Sequence, residues 1–361
     1  MLRSVCVIGL VLAAFFASGP VQSAEREAKR EAGEAFLGVI AGPVAGSETV
    51  LAADMASLFP ESDLNILPIL GDAGAGNLAR LDALKVDLAF VSTEVLAEEA
   101  AKDASLHERL ELVTRLAPQE VHILARADIG KLADLAGREV NFGPQGSASA
   151  ITAAALFKAL QIEVASSSLD FGAAIERLKA GAISAVVFVG GKPSPVIGAV
   201  PPNSGIHLLP VSFGEALAAN YLPTRLAGAD YPNLIEPGGE VPTVATGLVL
   251  LAVTSAEGSG SAERVARFVE TIFPRFAELQ AEGRHPKWRE VNLAASLPGF
   301  KRNAAAASWL LGEQDRPKKG PAIAKADASQ VPLLARSQSL SKEQKETLFE
   351  RFIEWQRGSE R

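Results

Sequence analysis

The stretch from Glu139 to Leu160, EVNFGPQGSASAITAAALFKAL, constrains the fold more than any other part of the chain. Val140 and Phe142 suit a short buried strand, and Gly143, Pro144 and Gly146 break it sharply. Ser147 and Ser149 are good helix N-caps, and Ala150 to Leu160 is a strong helix former. A strand, a tight glycine turn and a helix start leave several backbone N–H groups pointing at one spot. The helix dipole adds about half a positive charge there. Such a turn can receive a carboxylate, phosphate or sulfate. It can equally be a strand–helix connection with an ordinary serine cap.

The same succession recurs upstream. Phe36 to Ile40 reads as a strand, Ala41 to Ser47 as a small-residue loop and Glu48 to Phe59 as a helix. A strand from Leu64 to Leu70, a loop from Gly71 to Asn77 and a helix from Leu78 to Leu84 follow. The apolar run Leu88 to Val91 then leads through Ser92-Thr93-Glu94 into a helix ending near Ala101. Strands that alternate with helices predict a parallel sheet covered on both faces. Ligands of such sheets lie beyond the carboxyl ends of the strands, where these loops fall.

Leu110 to Leu116 and Val121 to Ala125 read as further strands, and a second α/β set runs on to about Gly239. Val241 to Val253, VPTVATGLVLLAV, reads as one long strand returning to the first set. Ser261 to Leu279 reads as an amphipathic helix that packs Val265, Phe268, Val269, Ile272 and Phe276. The pattern predicts an α/β protein of two lobes. One comprises residues 36–124 plus 241–312, and the other, residues 125–240, is inserted into it. Two connections make a hinge with a ligand cleft between the lobes.

The ends differ from this body. Arg3, the apolar run Val5 to Ala17 and the break at Ser18-Gly19-Pro20 predict a secretory signal peptide over residues 1–23, with the mature chain starting at Ala24. That run is short of the roughly 20 residues needed to span a bilayer. Cys6 is the chain's single cysteine and lies inside the segment, so the mature form would have no disulfide, thiolate ligand or cysteine nucleophile. The expected location is the periplasm. Residues 313–340 read as an exposed linker. Residues 341–361 read as a helix opened by Ser341 and Gln344, whose apolar face would dock on the parent domain.

Charged residues make up 21% of the chain and the formal net charge is -7, with no long basic run, which argues against nucleic-acid binding. His107, His122, His207 and His285 lack metal-ligand spacing, so neither a metal nor a cofactor is expected. No glycine stands two residues after Ser147, so this is no nucleophile elbow, and no enzyme activity is expected. The candidate ligand-binding residues are Ser47, Asp72, Ser92, Thr93, Gly146, Ser147, Ser149 and Lys192. The hydroxyls can donate to a carboxylate, or simply cap helices. Lys192 can neutralise an anion across the cleft, or be a solvated lysine. Asp72 can receive an ammonium group.

Several pieces carry a family likeness: Asn77-Leu78-Ala79-Arg80-Leu81 with Val86-Asp87-Leu88-Ala89-Phe90-Val91; Leu132-Ala133-Asp134-Leu135-Ala136-Gly137-Arg138-Glu139-Val140; and Gly143-Pro144-Gln145-Gly146-Ser147. Gly181-Ala182-Ile183-Ser184-Ala185 and Ala307-Ser308-Trp309-Leu310-Leu311 add to it. In their order and spacing the chain resembles the TAXI-type solute receptors of tripartite ATP-independent periplasmic (TRAP) transporters over most of Phe36 to Leu311. The resemblance implies a type II periplasmic-binding-protein fold, capture of a small organic anion such as a carboxylate or amino acid, and delivery to a membrane permease. A monomer is expected. The alternative reading is a sensory or scaffolding protein of the same fold that signals to a membrane partner.

Overall fold

The computed structural model describes residues 36–315, apart from 45, 60–63, 84–85 and 255–259. The expected signal peptide, the end of the chain beyond 315 and the expected C-terminal helix lie outside the described residues.

The first lobe begins with β1 (Phe36–Ile40), α1 (Ser47–Ala56), β2 (Asn65–Ile69), α2 (Ala75–Ala83), β3 (Leu88–Ser92), α3 (Thr93–Lys102) and β4 (Leu110–Arg115). The chain then crosses to the second lobe: β5 (Gln119–Arg126), β6 (Glu139–Asn141), α4 (Ala148–Ala159), β7 (Ala165–Ser167), α5 (Phe171–Lys179), β8 (Ala185–Gly190), β9 (Ile206–Leu208), β10 (Leu222–Ala227) and β11 (Glu240–Thr246). It returns as β12 (Leu248–Val253), α6 (Gly260–Ile272), β13 (Lys301–Arg302) and α7 (Ala304–Asp315).

Among the described residues the first sheet runs β13-β4-β12-β3-β1-β2 and the second runs β10-β11-β5-β8-β6-β7, with β9 on β5. β3 is buried at all five positions, as a continuous apolar central strand should be. β1 is parallel to β2 and β3. β12 runs antiparallel to both β3 and β4, so β3 and β4 point the same way. The carboxyl ends of β1, β2, β3 and β4 therefore share one edge of the sheet.

α6 covers this sheet with Val265, Phe268, Val269 and Ile272, an i, i+3, i+4, i+7 stripe. Buried Asp87 fixes its start. The carboxylate accepts from the Gly38 N–H (3.2 Å), the Ser261 hydroxyl (2.7 Å) and the Arg264 guanidinium (2.7 and 3.1 Å). In the second lobe, separate apolar clusters form around Val140, Leu156 and Val187 and around Leu178, Val186 and Tyr231.

Four local readings change. Val241 to Val253 is two strands, because the chain leaves the second sheet after Thr246 and joins the first at Leu248, with Gly247 between. β5 lies wholly in the second sheet, so the outward crossing is residues 116–118, upstream of the expected boundary at 124/125. The helix read over Ser261 to Leu279 stops at Ile272 and resumes as a short turn at Phe276–Leu279, on either side of Pro274, a residue that cannot continue a helical hydrogen-bond ladder. Ser168 to Phe171 also reads from its residues as an edge strand of the second set, but the edge strand is β7, Ala165–Ser167, and a helix starts at Phe171.

Candidate functional site

The loops at the carboxyl edge of the first sheet face the loops that follow β6 and β8 of the second. The opening stretch folds as read. Gly143 and Gly146 have φ of +88° and +79°, the left-handed conformation that glycine adopts without a steric penalty. Ser147 is the N-cap of α4, its Oγ accepting from the Ala150 N–H at 3.2 Å. Ser149 Oγ accepts from the Val189 N–H at 3.0 Å, tying the helix start to β8.

The turn then meets the first lobe directly. The Ala75 N–H donates to the Gly146 carbonyl at 3.0 Å, and the Ala148 N–H donates to the Asp72 carbonyl at 3.2 Å. Ala148 and Ile151 of α4 pack into the first lobe's apolar core. Asp72 uses its side chain locally, Oδ1 accepting from the Gly74 N–H at 2.8 Å. Buried Asn77 braces this edge. Its amide donates to the carbonyls of Ala41 (2.7 Å) and Phe90 (2.8 Å), and its oxygen accepts from the Asp72 N–H (3.1 Å).

A second contact joins the loops after β1 and β8. Ser47 Oγ accepts from the Gly191 N–H at 2.7 Å and is fully buried. Beside it, Lys287 is buried between Glu120 (2.6 Å) and Glu290 (2.7 Å). Burial disfavours the Lys287 charge, but the two carboxylates outweigh it and hold the ammonium protonated. Glu120 stands at the start of β5, so this cluster bridges the hinge exit and the first lobe.

Ser92 and Thr93 end β3 and begin α3. Ser92 is buried and its Oγ has no hydrogen-bond partner. Thr93 faces the return crossing, its N–H donating to the Gly247 carbonyl (2.9 Å) and its Oγ1 accepting from the Gly247 N–H (3.1 Å). Next to it, Glu94 reaches across to the second lobe, where the Tyr221 hydroxyl donates to Oε1 at 2.6 Å. Burial raises the Glu94 carboxyl above its ordinary value, opposed by the Tyr221 hydrogen bond.

Lys192 does not cross the cleft. Its Nζ donates to the Arg225 carbonyl at 2.7 Å and pairs with Asp230 at 3.3 Å, both in the second lobe. The structure thus gathers Asp72 with Gly146, places Ser47, Ser92 and Thr93 on the same edge, and turns the Lys192 charge away.

Glu48, Glu94, Arg115, Glu120 and Lys287 were not among the sequence candidates. Glu48 follows Ser47 and is almost completely buried, its Oε2 unpartnered, and burial pushes its carboxyl up to about 7. Arg115 ends β4 on the same edge as Ser92. Among the described residues no group of histidine, cysteine or acidic side chains is arranged to hold a metal ion.

Two α/β lobes, two crossings and facing loop ends define a type II periplasmic-binding-protein fold. Residues 42–299 match the model of the NMT1-like family, and the chain belongs to that family. Among solved structures it is similar to a periplasmic transporter protein at 13% identity, over 78% of this chain and 97% of that one, with a TM-score of 0.49. It is also similar to an amino acid ABC transporter substrate-binding protein of Streptococcus pneumoniae bound to L-arginine, at 14% identity over 73% and 98%, TM-score 0.41. A third is the effector-binding domain of QuiR in complex with shikimate, at 14% identity over 64% and 93%, TM-score 0.39.

Proposed function

We propose that the protein is an extracytoplasmic solute-binding protein. It holds a small organic anion, a carboxylate or an amino acid, between its lobes and presents it to a TRAP-type membrane permease. The observation that carries this reading is the contact between the lobes at their loop ends. Ala75 to Gly146, Ala148 to Asp72 and Gly191 to Ser47 are hydrogen bonds that can form only when the lobes are shut. Two bodies on a two-strand hinge that meet at their ligand-side loops are built to open and close.

Buried polar atoms are normally paired. The Ser92 hydroxyl is not, so a ligand oxygen beside the start of α3 would complete it. Asp72 and Glu94 suit an ammonium group, which favours an amino acid among the carboxylates. In this reading Ser47, Asp72, Ser92, Thr93, Gly146, Ser147 and Ser149 surround the ligand, and Lys192 only braces the second lobe. Residues 1–23 direct export, and among the described residues no helix is long and apolar enough to cross a membrane.

The test is mass spectrometry of small molecules released from protein purified without refolding, followed by titration of the identified compound under small-angle scattering. The expected result is a carboxylate or amino acid whose rebinding reduces the radius of gyration. Tight binding with an unchanged radius would overturn the closing mechanism, and a ligand lacking any carboxylate would overturn the anion assignment.

A further inference from the structure

The lobes also meet through side chains, away from the glycine turn. α3 of the first lobe packs against α4 of the second. Tyr221, directly ahead of β10, is buried in the second lobe's apolar core. Its hydroxyl lies 2.6 Å from Glu94 Oε1 of α3 and 3.3 Å from the Thr152 carbonyl of α4. A tyrosine has one proton to give, and the short contact to a carboxylate takes it. Tyr221 thereby ties α3 to the second lobe.

Glu94 has no countercharge there. Tyr221, Thr152 and Glu98 are the groups that act on its carboxyl, and none is a cation. Lys102 pairs with Glu98 and Glu99, Arg109 with Asp103, and Arg80 of the adjoining α2 donates to the Leu70 carbonyl. The charged residue of α4, Lys158, is in its last turn. Glu94 Oε2 is buried with no hydrogen-bond partner, and the Thr152 hydroxyl is near it without completing a bond. A buried carboxylate left half-paired is costly. A proton on Oε2 removes the charge and supplies a donor that the Thr152 hydroxyl can accept. Opening the lobes takes Tyr221 and α4 away and returns the carboxyl to water.

We propose that Glu94 and Tyr221 form a proton-operated latch between the lobes: a proton on Glu94 favours the shut form, and its loss favours opening. This rests on the closing reading above and names what regulates it. Burial outweighs the Tyr221 hydrogen bond and raises the carboxyl above its ordinary value while the lobes are shut. The contribution to closure is therefore full below the ordinary carboxylate range and is lost as pH rises past the shut-state value. Ligand is then held in acid and released as pH rises.

Hydrogen exchange of the full chain without ligand tests this, read by mass spectrometry over peptides spanning Ala75 and Ala148. Both amides donate across the lobes, so their protection reports the shut fraction, and the Leu124 amide of the second sheet reports global unfolding. Variants are compared at equal pH, which cancels the intrinsic exchange rate. At about pH 8, Glu94→Gln should protect both amides more than the unmodified protein does, and the gap should narrow at about pH 4.5. Tyr221→Phe keeps the ring and removes the donor. It should lower protection about 10-fold or more at pH 8, where the bond is charge-assisted, and less at pH 4.5. In the Glu94→Gln background the Tyr221→Phe loss should shrink, a coupling that a merely structural tyrosine would not show. Equal protection in Glu94→Gln and the unmodified protein at both pH values overturns the latch, as does a Tyr221→Phe loss that is the same at both or is matched at Leu124. Amides at Ala75 and Ala148 that exchange as freely as exposed ones in every variant would overturn the closing reading itself.

Discussion

Replacing Gly74 by alanine perturbs the contact between the lobes while leaving every polar group in place. A Cβ at Gly74 would overlap the Gly146 carbonyl oxygen and stand 2.8 Å from the Ser147 Cα and 2.9 Å from the Ala148 nitrogen. All three neighbours are backbone atoms of the opposite lobe, so no side chain can swing aside. Gly74 does not have a positive φ, so alanine is unstrained there once the lobes part. The substitution acts on the shut state and barely on the open one.

The magnitude follows from what must separate. The Ala75 to Gly146 and Ala148 to Asp72 hydrogen bonds flank Gly74, and each is worth about 0.5–1.5 kcal/mol net. Losing both shifts the balance toward the open form by roughly 1–3 kcal/mol, which is about 5- to 150-fold. Where tight binding requires closure, apparent affinity falls by the same factor. The assay is calorimetry with the identified ligand, paired with small-angle scattering of the liganded protein. Gly74→Ala should bind more weakly and stay more extended. Gly198→Ala is the control, since a Cβ there meets nothing within 4 Å. Unchanged affinity and unchanged radius in Gly74→Ala would refute the argument that these loops meet on closing.

Two further predictions concern buried charge. Lys287→Met leaves Glu120 buried without its cation, so stability should fall by about 3–5 kcal/mol in urea unfolding. The double change Lys287→Met/Glu120→Gln should recover most of that loss, and an additive double mutant would show that the pair is not coupled. Glu48 has its carboxyl raised from 4.5 to about 7 by burial, so the native state holds that proton more tightly than the unfolded chain does. Its contribution is full below pH 4.5 and is lost as pH rises to about 7. Glu48→Gln keeps the shape and removes the titration, so stability above pH 7 should rise by roughly 3 kcal/mol. His122 works in the opposite sense, since burial depresses it from 6.5 to about 3 and its contribution is lost as pH falls below 6.5. Stability of Glu48→Gln should therefore climb through pH 5 to 6.5 in urea unfolding, and superimposable pH curves for the two proteins would refute the assignment.

What the sequence made legible is what short-range physics decides. The Ser147 cap joins residues three apart, and the glycine turn, the helix former and the apolar strand beside it are all local signals. The strand–loop–helix repeats of the first lobe were visible for the same reason, because glycine clusters punctuate apolar runs. The crossing at Gly247 was hidden, because VPTVATGLVLLAV is largely apolar throughout and a single glycine within it does not say that its two halves belong to different sheets. Arg115 was missed because Leu116-Ala117-Pro118 follows it rather than a glycine loop and a helix. Only the strand order, with β12 inserted between β3 and β4, places it on the same sheet edge as Ser92 and Thr93. Glu120 and Lys287 are 167 positions apart, and no spacing rule links them. The contacts that join the lobes use backbone atoms of Ala75, Gly146, Ala148 and Asp72, for which residue type carries almost no signal. Gly74 is the exception, because close approach of two backbones leaves room for no side chain. A glycine that needs neither positive φ nor a turn is thus the sequence mark of a contact between lobes, and it becomes readable only once the sheet order says which loops can meet.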